Sequence, residues 1–235
     1  MSIELTRYTD PLRLHLARAA AVYLGKDDID NIRRPITIMK KRHAMAIFRG
    51  ESARFHFKTS KVVYDHLITY TTADMRACGG LRANKAAKFI PPAEDDDSVY
   101  ADIAREAFRN YDALVEGIDP ATGDVAKRKR LQAARSILPM SVELEYEFQF
   151  NFLTLITMFQ QRLWTPGAQL DTKEAVAQMW LLVWDQDREL WDAVKDMFGP
   201  EELAWQHARQ SIKKKDPALY NLILEAHGKM SSMWD

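Results

Sequence analysis

The sequence predicts an α+β fold in which a mainly antiparallel sheet is flanked by helices. Short segments of alternating apolar and polar residues are mixed with longer segments of helical periodicity. Their order lacks the regular strand–helix–strand alternation that a parallel sheet requires. The chain has 235 residues, of which 47% are apolar, enough for a sizeable core. We therefore expect a single domain over residues 1–235.

Strands are predicted where the alternation is clearest, at residues 3–8, 52–59 and 142–150. In the last of these, Val, Leu, Tyr and Phe alternate with Glu143, Glu145, Glu147 and Gln149. Such alternation is typical of an antiparallel strand with one face on the core and one in water. Residues 89–92, Phe-Ile-Pro-Pro, are expected to be extended, and residues 75–87, rich in Gly, Arg and Lys, to form a loop.

Helices are predicted over residues 11–24, 31–47, 60–68, 98–117, 125–136, 152–162, 173–196 and 217–230. Gly25 closes the first helix, and Pro35 lies in the first turn of the second. Lys213 to Lys215 are expected to form a solvated helix end.

Composition excludes several classes of function. Lys plus Arg and Asp plus Glu each number 33, so no net field attracts a nucleic acid polymer or an anionic membrane. There is one cysteine, Cys78, so no disulfide framework is possible, which suits a reducing cytoplasm. We expect no signal peptide, no membrane span, and no metal site, because the six histidines lack ligand spacing such as His-x-x-x-His.

Three polar residues fall at predicted element boundaries. Arg135 ends a basic helix and precedes Ile137-Leu138-Pro139, where it can either grip a phosphate or complement the helix dipole. Asn151, 16 residues later, can cap a helix or read the edge of a base or flavin through its amide. Arg162, a further 11 residues on, can bind a carbonyl or phosphate oxygen or cover surface.

Together with Ala168-Gln169, this pattern resembles the nucleotide- and flavin-binding half of the flavin-dependent thymidylate synthases. Arg18 to Val22 looks like the first helix of that family. The stretch from Phe55 through His66 to Ala73 also resembles it, and Lys88 to Pro91 is similar to its Ser-x-Arg-Tyr segment.

The chain departs from the family at its best-known signature. Thr69-Tyr70-Thr71 stands where the family has Arg-His-Arg, and Lys88-Phe89 stands in place of Arg-Tyr. Arg49 stands where the family has an acidic residue. Positive charge can be restored by Arg49, Arg76, Arg82, Lys85 or Lys88. These departures resemble the flavin-dependent methylases of nucleoside-antibiotic pathways.

The resemblance implies C5-methylation of a uridine monophosphate, UMP and also dUMP. Methylenetetrahydrofolate would be the carbon donor, with FAD and NADPH as further cofactors. It assigns Arg162 to the pyrimidine carbonyl edge as the catalytic residue. The implied substrate contacts are Arg135, Lys88, His66, Arg82 and Gln169, and the implied flavin contacts are Thr69, Tyr70, Thr71, Asn151, Thr157 and Arg49. It also implies a homotetramer with active sites at subunit junctions.

Other interpretations stay open. One is a divergent thymidylate synthase that acts on dUMP, and another is a non-catalytic flavin- or nucleotide-binding relative. A third is a helical interaction protein without a ligand. Cys78 can be a thiolate nucleophile if Arg76 and Arg82 lower its pKa, or simply a small loop residue.

Overall fold

The computed structural model describes residues 1–9, 11–41, 44–70, 73–79, 85–93 and 99–227. Within these residues, the strands are β1 (Ser2–Tyr8), β2 (Ser52–Ser60), β3 (Ala73–Cys78) and β4 (Glu143–Asn151). They form one antiparallel sheet with the order β1-β2-β4-β3. The α+β class and the antiparallel sheet are therefore confirmed.

The helices of the described residues are α1 (Leu14–Leu24), α2 (Arg34–Lys40), α3 (Lys61–Leu67), α4 (Val99–Val115), α5 (Val125–Ala134), α6 (Phe152–Met158), α7 (Leu170–Gln186), α8 (Arg188–Phe198), α9 (Pro200–Lys215) and α10 (Pro217–His227). None of them is long and apolar enough to cross a membrane. Gly25 ends α1 at φ +59°, and Pro35 lies in the first turn of α2, both as predicted.

Four sequence predictions need correction. Residues 73–78 form β3, so the first part of the loop predicted over 75–87 is a strand, because pairing with β4 stabilises this short segment. The helix predicted over 31–47 is α2 followed by a separate 3₁₀ turn at Met45–Gly50. The helix predicted over 173–196 breaks at Asp187, which leaves helical backbone and caps α8. Helix α9 was missed because it buries no residue and so has no apolar period.

The chain divides into two compact units. Unit 1 comprises Met1–Arg7, Arg54–Phe150 and Ala168–Met179, and unit 2 comprises Tyr8–Ala53, Asn151–Gly167 and Trp180–Asp235. In unit 1 the apolar faces of β2 and β4 build an aromatic core in which the Phe57 and Tyr146 rings stack with centroids 4.7 Å apart. The other face is wet, as predicted, and His56 lies 3.0 Å from the Glu145 carboxylate there.

Unit 2 has a core of large aromatic rings around Trp191, which is fully buried. The Trp191 ring packs against Phe152 and Phe159, and its indole nitrogen donates to the Tyr8 hydroxyl at 3.0 Å. Buried Arg13 forms an ion pair with Asp187 at 2.7 Å. Asp187, which separates α7 from α8, is therefore also fixed by an ion pair.

Candidate active site

Five segments of unit 1 converge on a cavity with a volume of ≈ 240 Å³. They are the end of β2 at Ser60, the extended segment 90–92, the start of α4 at 100–104, the turn 139–141 before β4, and the start of α7 at Gln169 and Asp171. The Ile90 amide donates to the Ser141 carbonyl at 2.8 Å, and the Ala93 amide donates to Asp171 at 2.9 Å. The extended segment predicted from Phe89 to Pro92 thus forms one wall. We call this space the Gln169 cavity.

His66 and Gln169 lie at the same end of helix α7. The His66 imidazole Nδ1 is 2.6 Å from the hydroxyl of fully buried Thr172, so His66 is more than a surface histidine of α3. Gln169 is exposed, and its carbonyl accepts the Lys173 amide in the first turn of α7. Sequence reasoning overlooked Thr172, whose only signal is a hydroxyl residue in the first turn of a helix.

Arg135 lies where the sequence placed it, at the bend between α5 and β4. It begins the 3₁₀ turn Arg135–Ile137, and its Nε and Nη2 atoms are buried. Lys88 is exposed, and its carbonyl accepts the Glu143 amide at 3.0 Å as the 88–90 segment pairs with the start of β4. Lys88 is therefore fixed by its backbone beside the first residue of β4, whereas Arg135 lies in the turn that precedes this strand.

The segment that replaces the family signature follows α3. The Thr69 hydroxyl donates to the His66 carbonyl at 2.6 Å, which leaves Thr69 in the turn after the helix. Arg76 on β3 donates from Nη2 to the Tyr70 carbonyl at 2.7 Å. Of the cations named as replacements for the lost arginines, Arg76 is thus placed directly against the altered triplet. Thr71 and Arg82 lie outside the described residues.

The remaining assigned flavin contacts belong to unit 2. Asn151 is buried and caps α6, since its side-chain oxygen accepts the Thr154 amide at 2.9 Å. The Thr157 hydroxyl donates to the Leu153 carbonyl at 3.0 Å, within the same helix. Arg49 is exposed in the last turn of the 3₁₀ segment. The capping interpretation of Asn151 is therefore observed, and a cofactor contact of these residues stays a prediction.

Arg162 lies in a π-helix, Phe159–Trp164, that continues α6. The sequence predicted an ordinary helix over residues 152–162, because nothing in the apolar period distinguishes a π-turn. Phe159 is fully buried and Trp164 packs edge-to-face on Trp180 with centroids 5.0 Å apart, so the segment is anchored on both sides of half-buried Arg162. Short π-segments inside helices occur frequently at functional sites.

The thiolate interpretation of Cys78 is not supported. Cys78 ends β3 opposite Tyr146, so it is not a loop residue. Partial burial of its thiol raises the pKa above the ordinary value, and the hydrogen bond with Tyr64 offsets only part of that effect. Arg76, which was expected to lower this pKa, contacts the Tyr70 carbonyl instead. Among the described residues, no group of three or more His, Cys, Asp or Glu is arranged to hold a metal ion.

Solved structures share this fold. PolB, a UMP/dUMP methylase from Streptomyces cacaoi, bound with 5-Br UMP, matches with a TM-score of 0.65 and 17% identity over 84% of this chain and 94% of PolB. PolB bound with 5-Br dUMP matches with a TM-score of 0.67 and 18% identity over 85% of this chain and 96% of PolB. At such low identity the likeness establishes the fold alone. A search of curated protein sequences finds no significant match.

The class of protein follows from the family model described as "thymidylate synthase complementing protein", which matches residues 4–187. The chain belongs to this family, the flavin-dependent thymidylate synthases. It is an enzyme of the nucleotide C5-methyltransferase class.

Proposed function

We propose that the enzyme methylates C5 of uridine monophosphate, accepting both UMP and dUMP. The carbon donor is methylenetetrahydrofolate, and FAD reduced by NADPH provides the hydride. The observation that carries this proposal is the Gln169 cavity. Two of its walls, the segment after Lys88 and the start of α7, lie in the stretches that resemble the family. PolB binds halogenated forms of both UMP and dUMP, which supports the same pair of substrates here.

The phosphate of the nucleotide is assigned to Arg135 and to Lys88 of a neighbouring chain. A guanidinium can bind two phosphate oxygens at once, and partial burial strengthens such a contact. The buried Nε and Nη2 atoms of Arg135 support this role. Gln169 and His66 then supply polar contacts at the end of α7, where Gln169 lines the cavity wall.

Arg162 is assigned to the pyrimidine carbonyl. A fixed cation there stabilises negative charge on the carbonyl oxygen of the activated ring, the charge that makes C5 nucleophilic enough to attack the one-carbon unit. The anchoring of the π-helix by Phe159 and Trp164 supports this role, because catalytic electrostatics depend on a cation that does not reorganise. Nothing in this mechanism requires an enzyme thiol.

The flavin contacts are assigned to Thr69, Tyr70, Thr71, Asn151, Thr157 and Arg49. The family signature that normally provides positive charge is absent, but Arg76 places a guanidinium against Tyr70. The residues present therefore fit an anionic cofactor. We assign Arg76 as the replacement for a lost signature arginine. When bound, FAD supplies the hydride, while these residues hold it in position.

A homotetramer with active sites at subunit junctions is part of the proposal. Helix α4 exposes an apolar stripe that includes Ile103, Ala107 and Leu114, and this stripe lines an open groove of ≈ 740 Å³ together with Ile137. Ile103, which is 61% exposed, also lines the Gln169 cavity. A second copy packed on this stripe would border the cavity, as a junctional active site requires.

The test is methyl transfer to UMP and dUMP side by side, with methylenetetrahydrofolate, FAD and NADPH. We expect both nucleotides to be methylated. If only dUMP reacts, the enzyme is a divergent thymidylate synthase, and the role in nucleoside-antibiotic biosynthesis that the resemblance implies is lost. A yellow protein that methylates neither would be a non-catalytic flavin-binding relative, and a colourless inactive protein that binds no FAD would contradict the proposal outright.

A further inference from the structure

A second groove of unit 1 lies between Lys88-Phe89 and helix α4, with a volume of ≈ 740 Å³. The residues that define it are Lys88, Phe89, Arg105, Phe108, Arg109 and Asp112. The Phe89 and Phe108 rings lie 5.7 Å apart, tilted by 47°, and Phe108 belongs to the small core beneath α4. The groove therefore combines an aromatic floor with a cationic rim.

The cations of the rim are arranged as a row. Arg105 and Arg109 are one turn apart on α4, so their side chains leave the helix on the same face about 6 Å apart. Each pairs with an acidic residue three positions earlier, Arg105 with Asp102 and Arg109 with Glu106. Both arginines are more than half exposed, so these pairs are weak and can exchange for a ligand carboxylate. Among the lining residues, Lys88, Arg105 and Arg109 are cations and Asp112 is an anion, while Asp102 and Glu106 offset the two arginines from outside the lining until a ligand displaces them.

We propose that this groove binds the p-aminobenzoyl-glutamate tail of the folate co-substrate. The inference rests on the proposed function and adds Arg105 and Arg109 to its binding residues. A phosphate monoester is bound best by a compact cluster of donors. The carboxylates of a glutamate tail follow one another along a chain, and this spacing matches the row formed by Arg105 and Arg109. The aminobenzoyl ring has the size and flatness to lie on Phe89 and Phe108. Each added glutamate then brings a further carboxylate to the arginines.

The experiment measures the binding of tetrahydrofolate monoglutamate and pentaglutamate to the FAD-loaded enzyme by titration calorimetry. The wild-type enzyme should bind the pentaglutamate about 10-fold more tightly, with an advantage that shrinks as salt is added. In the double variant R105Q/R109Q the two folates should bind equally, while affinity for UMP stays unchanged. Arg130→Gln, which removes an exposed cation of α5 outside the groove, should keep the wild-type preference.

Equal binding of the two folates by the wild-type enzyme would overturn the inference, and so would a preference that survives in R105Q/R109Q. Loss of UMP affinity in the double variant would instead make the groove a nucleotide phosphate site. These outcomes are separate from the proposed function, because methyl transfer with the monoglutamate alone decides that question. If the enzyme transfers the methyl group but shows no preference for the pentaglutamate, the proposed function is supported and the proposed binding site for the folate tail is contradicted.

Discussion

The segment from Ala134 to Gln169 and the segment from Thr69 to Phe89 differ in how their polar residues are held. In the first, Arg135, Asn151 and Arg162 each follow or flank buried residues at the end of an element. In the second, Thr69, Arg76 and Lys88 are exposed. Substitutions at exposed positions usually change the free energy of unfolding by about 0.5 kcal/mol or less. The second segment can therefore change its charges at little cost in stability, whereas the polar residues of the first segment lie at the buried ends of elements.

The largest effect is expected at Arg162, in the segment that keeps the family pattern. Arg162→Ala should lower kcat/KM roughly 100- to 1000-fold, about 3–4 kcal/mol, because a cation facing the developing charge is lost. The circular dichroism spectrum and the unfolding midpoint should stay close to those of the wild type. Arg162→Lys is the matched control and should recover part of the rate. A kcat/KM near the wild-type value in the alanine variant would remove Arg162 from the mechanism.

A smaller effect is expected at Arg135. Arg135→Gln should raise the KM for UMP about 10- to 100-fold, since a charged hydrogen bond contributes about 1.5–3 kcal/mol. Affinity for uridine, which lacks the phosphate, should not change. If Arg135 only complements the dipole of α5, the variant will be less stable but will bind UMP normally. Steady-state kinetics and thermal unfolding on the same samples separate these two roles.

Asn151 tests whether a residue of the family-like segment has a structural role, a cofactor role or both. Asn151→Ala should lower the free energy of unfolding by about 1–2 kcal/mol, because it removes a buried cap of α6. Asn151→Asp keeps the acceptor oxygen and should keep most of the stability. Titration with FAD then tests the cofactor role: unchanged flavin binding by the aspartate variant would leave Asn151 with its capping role alone.

The contrast between the two segments also marks what sequence can predict. The alternation of Phe55 and Phe57, or of Tyr146 and Phe148, predicts strands correctly because one face is buried and the other is wet. Strand β3 was not predicted, because the alternation of its small side chains is short and its pairing with β4 depends on a partner distant in sequence. Likewise, the π-helix at Arg162 and the contact between His66 and Thr172 arise from tertiary packing that no local pattern records.

Arg76 allows a test of the segment from Thr69 to Phe89, in which the family signature is altered. Arg76→Gln should weaken FAD binding about 10-fold, because the guanidinium beside Tyr70 is then lost as a source of positive charge. Lys85→Gln, which removes another exposed cation of the same region, is the matched control and should bind FAD nearly as well as the wild type. Quenching of flavin fluorescence gives both dissociation constants. Equal effects of the two variants would mean that nonspecific charge, rather than Arg76, replaces the signature.

The smallest effect is expected at Cys78. Cys78→Ser should keep kcat within about twofold of the wild type, because the flavin reaction uses no thiol adduct. The pKa of the Cys78 thiol is raised, so the thiolate fraction at pH 7 is lower than in free cysteine. Alkylation by iodoacetamide should therefore be slow at pH 7 and become faster only as the pH rises through that raised pKa. A nucleophile for C6 of uracil needs the opposite shift. Mass spectrometry of the enzyme trapped during turnover is decisive. A covalent Cys78–pyrimidine adduct would show that the segment from Thr69 to Phe89 takes part in catalysis, and Arg162 would then not be the main catalytic residue.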